Sequence, residues 1–144
     1  MQQTHYYEVN LNWKRDRIGE LSSPILDTTI EVATPPEFAG GVPNIWSPEH
    51  FYAGAINSCF MTTFLAIAEN SKMSFESYEC KTIIKLERPE KKYLITEAVI
   101  YPKVKMTDPE KDRDRMWRIL EKAEENCLVT NSMLTKVRLE PQIS

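Results

Sequence analysis

The residues able to carry chemistry in this chain are its three cysteines, Cys59, Cys80 and Cys127. Their number is odd and their spacing wide. No CxxC pair or histidine-rich run accompanies them, so neither a disulfide framework nor a zinc site is indicated. In a reducing, cytoplasmic setting, a cysteine pair that oxidises is catalytic or redox-sensing rather than structural. Taken singly, each thiol reads as a small core hydrophobe. Cys80 falls on the inward face of an alternating strand and keeps that reading. Cys59 and Cys127 read differently as a pair. Both are expected on core-facing stripes of the two long helices. Each also lies beside polar residues: Asn57 and Ser58 next to the first, Thr130, Asn131 and Ser132 after the second. Polar groups buried where two elements meet need partners, and a reactive site supplies them.

The elements that must hold these thiols follow from hydrophobic periodicity. Tyr7, Val9, Leu11 and Trp13 alternate with polar residues and predict a half-buried strand. Ile18–Leu21 predicts a second strand after the charged turn KRDR, and Thr28–Val32 a third. The run TPPEFAGGVPNIW breaks regular structure. Ser47 then suits an N-cap, Pro48 the first helical position, and Glu49 the helix dipole. From Phe51 to Ala68 no side chain is charged. That touches the lower limit for a membrane span. However, Gly54, Asn57, Ser58, Thr62 and Thr63 interrupt it, and a helix apolar on nearly all sides is expected at the centre of a core or a subunit interface. Two more strands follow, with Tyr78, Cys80, Thr82, Ile84 and Leu86 on one face of the first, and Leu94 to Val104 forming the second. Asp108 and Pro109 open a second helix with the stripe Met116, Leu120 and Ala123, which extrapolates to Cys127. Met133–Leu139 predicts a last strand. The order is βββ-α-ββ-α-β, an α+β fold, and no repeat or linker divides 1–144, so one domain is expected.

Composition narrows the function. Hydrophobic residues make up 42% and charged residues 27% of the 144, as in a folded chain, and the net charge is −3. Nothing favours nucleic acid or a membrane surface as a partner. The start MQQTHYYEVN shows no signal-peptide pattern, which agrees with a cytoplasmic location.

The stretch PEFAGGVPNIWSPEHFYAGAINSCFMTTFLAIAE, followed at a distance by ENCLVTNSM, resembles the OsmC and organic hydroperoxide resistance (Ohr) family. The N-terminal Trp, Arg and Gly pattern and the C-terminal strand fit as well, so the resemblance covers nearly the whole chain. It implies an intertwined homodimer around a long buried central helix. It also implies reduction of organic hydroperoxides by a cysteine pair, with a dithiol reductant and with no metal or organic cofactor. Carried over, Cys59 matches the peroxidatic cysteine and Cys127 the resolving one. Glu49 matches the acidic residue that holds an active-site arginine. For that arginine KRDRIGELSS offers Arg15 and Arg17, with Arg17 preferred. The chain departs from the family pattern at Leu128, where many members have Pro, and in the loop VPNIW, which points to an OsmC-like subgroup.

The chemistry asks for these residue types. A thiolate attacks the peroxide bond, becomes a sulfenic acid, and condenses with a second thiol to a disulfide. Burial alone would raise the thiol pKa, and in the family's scheme a nearby guanidinium, held by a carboxylate, supplies the opposing term. On one straight helix Glu49 and Cys59 stand roughly 15 Å apart along the axis and on different faces. Either that helix breaks near Gly54 or Glu49 serves a partner subunit's cysteine. Two other readings compete: a dimer binding a small apolar ligand with little turnover, and a structural dimer with inert cysteines. His50 reads as a capping or solvated residue.

Overall fold

The computed structural model describes residues 3–144, which fall into two compact units, one ending at Phe51 and the other running from Tyr52 to Ser144. In the first, β1 (Asn10–Arg15), β2 (Ile18–Ser23) and β3 (Leu26–Ala33) form an antiparallel meander in the order β1-β2-β3. Asp16 takes a positive φ of 47° in the tight β1–β2 turn, a conformation Asp tolerates better than most residues. Its carbonyl accepts a 3.0 Å bond from the Trp13 indole. The expected half-buried strand at Tyr7–Trp13 is shifted and uncovered. All of β1 is exposed, and Tyr7 and Val9 precede it and are exposed too. Alternation reports which residues share a face, not whether anything lies over that face.

The proline-rich stretch after β3 is irregular, as expected, but stitched. Val42 N–H donates to the Thr34 carbonyl at 2.9 Å, and Ala33 N–H to that of Trp46 at 2.9 Å. It delivers Ser47 to the start of α1 (Pro48–Asn70), where the hydroxyl caps the helix by accepting from His50 N–H at 3.3 Å. In return the Ser47 N–H donates to His50 Nδ1 at 3.2 Å. This is a reciprocal capping box with histidine in the role usually taken by Glu or Gln.

In the second unit β4 (Ser77–Glu87) pairs antiparallel with β5 (Leu94–Lys105). The helix α2 (Pro109–Glu125) is capped by Asp108, whose carboxylate accepts from Lys111 N–H at 3.3 Å. A short α3 (Leu128–Asn131) follows, then β6 (Lys136–Leu139) and β7 (Gln142–Ile143), both parallel to β5. The core joins Ile56, Phe60, Phe64 and Ala68 of α1 to Ala98, Ile100 and Val104 of β5 and to Met116, Ile119, Leu120 and Ala123 of α2. Tyr78 of β4 stacks on Phe64 with ring centroids 4.9 Å apart.

The architecture is the mixed α+β one expected, with α3 and β7 added to the predicted order. Two local points qualify or correct the expectation. Within one chain the helix α1, expected in a core or a subunit interface, is buried along one stripe only. Its buried residues recur every fourth position, and Met61 and Leu65 on another face are 36% and 40% exposed. By length and composition alone α1 could also cross a membrane, but its buried stripe is part of the core just described. Second, Cys127 is not on a helical stripe. The α2 helix stops at Glu125, Asn126 caps its C-terminal end, and Cys127 is the N-cap of α3.

Candidate functional site

Cys59 lies in the middle of α1, beside the buried stripe rather than on it, and is partly buried. Cys127 is fully buried at the junction of α2 and α3. The fold brings the two thiols close enough to perturb each other's ionisation. Their surroundings push them apart electrostatically. Burial raises the Cys59 pKa, but the Val129 N–H, the Cys127 thiol, the Thr63 hydroxyl and the Leu128 N–H all face its sulfur. Together they outweigh burial and leave it below the ordinary thiol value. For Cys127 burial dominates. The Thr130 N–H and hydroxyl oppose it, the neighbouring Cys59 sulfur reinforces it, and the thiol ends above the ordinary value. As pH rises, Cys59 therefore loses its proton first, and Cys127 keeps one to donate to it.

The polar neighbours expected for Cys59 do other work. Asn57 Nδ2 donates to the Cys80 carbonyl at 3.0 Å, tying α1 to β4, and the Ser58 hydroxyl donates back to Gly54 O at 2.7 Å. Thr63 takes the place they were expected to fill. Its hydroxyl donates to the Cys59 carbonyl at 2.8 Å and also faces the sulfur. One turn further along α1, it was detectable by its i+4 spacing from Cys59. Leu128 and Val129 act through main-chain N–H groups, for which side-chain identity gives no signal. Thr130, one of the polar residues after Cys127, does lie against it. It is buried, and its hydroxyl donates to Cys127 O at 3.2 Å.

Cys80 behaves as packing. Burial raises its pKa, and its thiol is the weak partner of the Tyr78 and Thr82 hydroxyls, which have no oxygen or nitrogen partner. An apolar hollow of about 730 Å³ lies elsewhere in this unit, lined by Tyr52, Leu86, Tyr93, Leu94 and Leu134 among others. Among the described residues no cluster of three His, Cys, Asp or Glu side chains gathers as metal ligands would.

The remaining expected site residues belong to the N-terminal unit. Arg15 ends β1 and is exposed. Arg17, in the β1–β2 turn, lays its guanidinium arm against Gly40. A Cβ added to that glycine would stand 3.1 Å from Arg17 Nε, and Gly40 also has a positive φ of 78°. The neighbouring Gly41 is equally constrained, since a Cβ there would fall 2.0 Å from the Pro35 carbonyl oxygen. Glu49 sits in the first turn of α1 and is partly buried. Beside it, His50 is engaged in the capping box, as expected of a capping residue, and meets Trp46 edge-on with centroids 6.0 Å apart. The helix carrying Glu49 runs unbroken through Gly54.

The model of the OsmC-like protein family matches residues 41–142, a span holding both thiols and Glu49. The chain belongs to this family. Solved structures carry the same fold. An OsmC-like protein of unknown function from Vibrio cholerae is 24% identical, with a TM-score of 0.84 over 96% of this chain and 99% of that one. An organic hydroperoxide resistance protein from Elizabethkingia anophelis is 16% identical, with a TM-score of 0.77 over 100% and 99%. The organic hydroperoxide resistance protein OhrB of Bacillus subtilis is 17% identical, with a TM-score of 0.69 over 97% and 98%. No curated protein matches the sequence. At such identities the likeness of this OsmC-like chain to those structures is one of fold.

Proposed function

We propose that this OsmC-like protein is a thiol-dependent peroxidase that reduces organic hydroperoxides. The observation that carries the reading is the closeness of two thiols with opposite pKa shifts, Cys59 down and Cys127 up. The Cys59 thiolate attacks the terminal peroxide oxygen and the O–O bond breaks. The alkoxide takes a proton and leaves as the alcohol, and Cys59 becomes a sulfenic acid. Cys127, protonated and already close by, condenses with it. A disulfide forms, and the hydroxyl leaves as water with the Cys127 proton. A dithiol donor reopens the bond by exchange and is itself oxidised, so no organic cofactor or metal is invoked.

Arg17 stabilises the thiolate and the leaving oxygen in this scheme, and Glu49 holds the guanidinium through a bidentate pair. The active form is a homodimer. Its support is the open apolar face of α1, with Met61 and Leu65 partly exposed. Because α1 is unbroken through Gly54, Glu49 serves the cysteine of the other subunit.

The test is to titrate free thiols while adding an alkyl hydroperoxide, and then to supply a dithiol. The expected result is loss of two thiols per chain at one equivalent of peroxide, and repeated turnover with the dithiol. Thiols that survive the peroxide, in protein that still binds apolar ligands, would overturn the reading in favour of a binding protein.

A further inference from the structure

The α1 helix begins with a hydrogen-bond exchange between Ser47 and His50, and one half of that exchange tolerates a single protonation state. The Ser47 main-chain N–H donates to His50 Nδ1 at 3.2 Å. An N–H can only donate, so Nδ1 must offer its lone pair and the ring carries its one proton on Nε2. The Ser47 hydroxyl also lies 2.7 Å from Nδ1, and it accepts from His50 N–H at 3.3 Å. Unlike the N–H, a hydroxyl can turn and either give or take a proton. In the usual capping box the reciprocal acceptor is an oxygen of Glu or Gln. Glutamine takes up no proton, and glutamate does so only in acid. Histidine is the side chain that ordinarily changes charge between about pH 5 and 8. When it does, Nδ1 becomes a donor and two N–H groups point at each other. Ser47 is completely buried, so its N–H cannot turn to bulk water instead. A positive ring in the first turn is also disfavoured by the unpaired amides there.

We propose that His50 makes the start of α1 a pH-sensitive cap, closed by the neutral ring and opened by proton uptake. Few groups stand ready to offset the added charge. The ring borders a small hollow whose other lining residues are Pro36, Asn44, Ile45 and Trp46, all uncharged. Trp46 meets it edge-on. The carboxylates nearest along the chain are Glu49, beside it in the helix, and Glu37, beside Pro36 in the loop. Among the described residues no ion pair reaches the ring. His50 is itself exposed, so protons have access to it. The turn that opens contains Glu49, and α1 continues from it to Cys59. If Glu49 holds an arginine, as in the proposed function, an open cap loosens that hold and slows the reaction in acid. That consequence rests on the proposed function, and the cap itself does not.

Two measurements on the full-length protein test the cap. Nitrogen NMR of the assigned His50 ring at about pH 7.5 reads the tautomer without any substitution, and the expected result is a proton on Nε2 alone. Deuterium exchange of the Ser47 amide, corrected for the intrinsic effect of pH, is then followed at about pH 7.5 and about pH 5.5 in the wild type and in His50→Gln. Glutamine keeps a side-chain acceptor that does not titrate. The expected result is that wild-type protection falls roughly fivefold at the lower pH, the equilibrium equivalent of one lost cap, while His50→Gln holds steady. A proton on Nδ1 at the higher pH would overturn the proposal. So would wild-type protection that stays level, or an equal fall in both proteins. Should glutamine fail to restore protection at the higher pH, the wild-type tautomer and the wild-type pH dependence decide by the same criteria. Neither measurement involves peroxide, so a protein without turnover would count against the proposed function and leave this result standing.

Discussion

At the Cys59 sulfur, burial and hydrogen bonding pull in opposite directions, and at Cys127 they do so with the opposite outcome. In the proposed reaction this asymmetry sets the order in which the two thiols act. Between the lowered Cys59 value and the raised Cys127 value, only Cys59 is a thiolate, so limited alkylation of the native protein there should label Cys59 first and Cys127 only after unfolding. Cys59→Ser should abolish peroxide reduction. Cys127→Ser should allow one turnover that stops at the sulfenic acid, seen as a dimedone adduct on Cys59. Cys80→Ser should change the rate little. A turnover lost in Cys80→Ser but kept in Cys59→Ser would reverse the assignment. The arginine has its own test at a neighbour that does no chemistry. A side chain at Gly40 must find room against Arg17 at a positive φ, so Gly40→Ala should lower activity in the direction of Arg17→Ala, while Arg15→Ala should not. A normal rate in Gly40→Ala together with a loss in Arg15→Ala would move the role to Arg15.

The elements differ in how much of their stability one residue controls. Ser47 is completely buried, and its hydroxyl anchors the start of α1, so Ser47→Ala should cost about 1 kcal/mol. Phe60 is also completely buried in the core, and Phe60→Ala should cost about 3–5 kcal/mol. Urea midpoints at unchanged slope check both values, and a larger loss at Ser47 than at Phe60 would contradict this ranking. The same elements show what could be read from the residues. The N-caps of α1 and α2, the charge-free helix and the alternating β4 were legible because caps and periods are local. Cys127 was misplaced because the period of α2 runs on in the sequence after Asn126 has ended the helix. The signal was present in Asn126 itself, a common stop residue. The amides facing Cys59 were invisible to the sequence, since every residue but proline carries one. So was the bareness of β1, because a strand's pattern is set by its own residues and its cover by something else.

For the molecule as a whole, the open face of α1 and the continuity of that helix through Gly54 argue for an active site completed across a two-fold axis. Glu49→Ala and Cys59→Ser homodimers, each inactive, should partly recover activity when denatured together and refolded. In the mixed dimer one site holds an intact Glu49 and an intact Cys59. Confirmed heterodimers with no recovery would place both residues in a single chain's site. On the exposed face, Leu65→Glu should leave the fold of each chain intact and shift the sedimentation coefficient to that of a monomer.

Under the proposed mechanism, the complete burial of Cys127 also decides which sulfur a donor can reach. Once the disulfide has formed, one of its sulfurs is sealed in the core and the other lies at a partly open position. An incoming donor thiolate meets only the Cys59 sulfur, so the transient mixed disulfide sits there and Cys127 is the sulfur expelled. Burial makes Cys127 the less acidic of the pair and hence the poorer leaving group. In the proposed scheme this makes reopening by the donor the slower half of the cycle, so the disulfide form should accumulate when peroxide is present and donor is limiting.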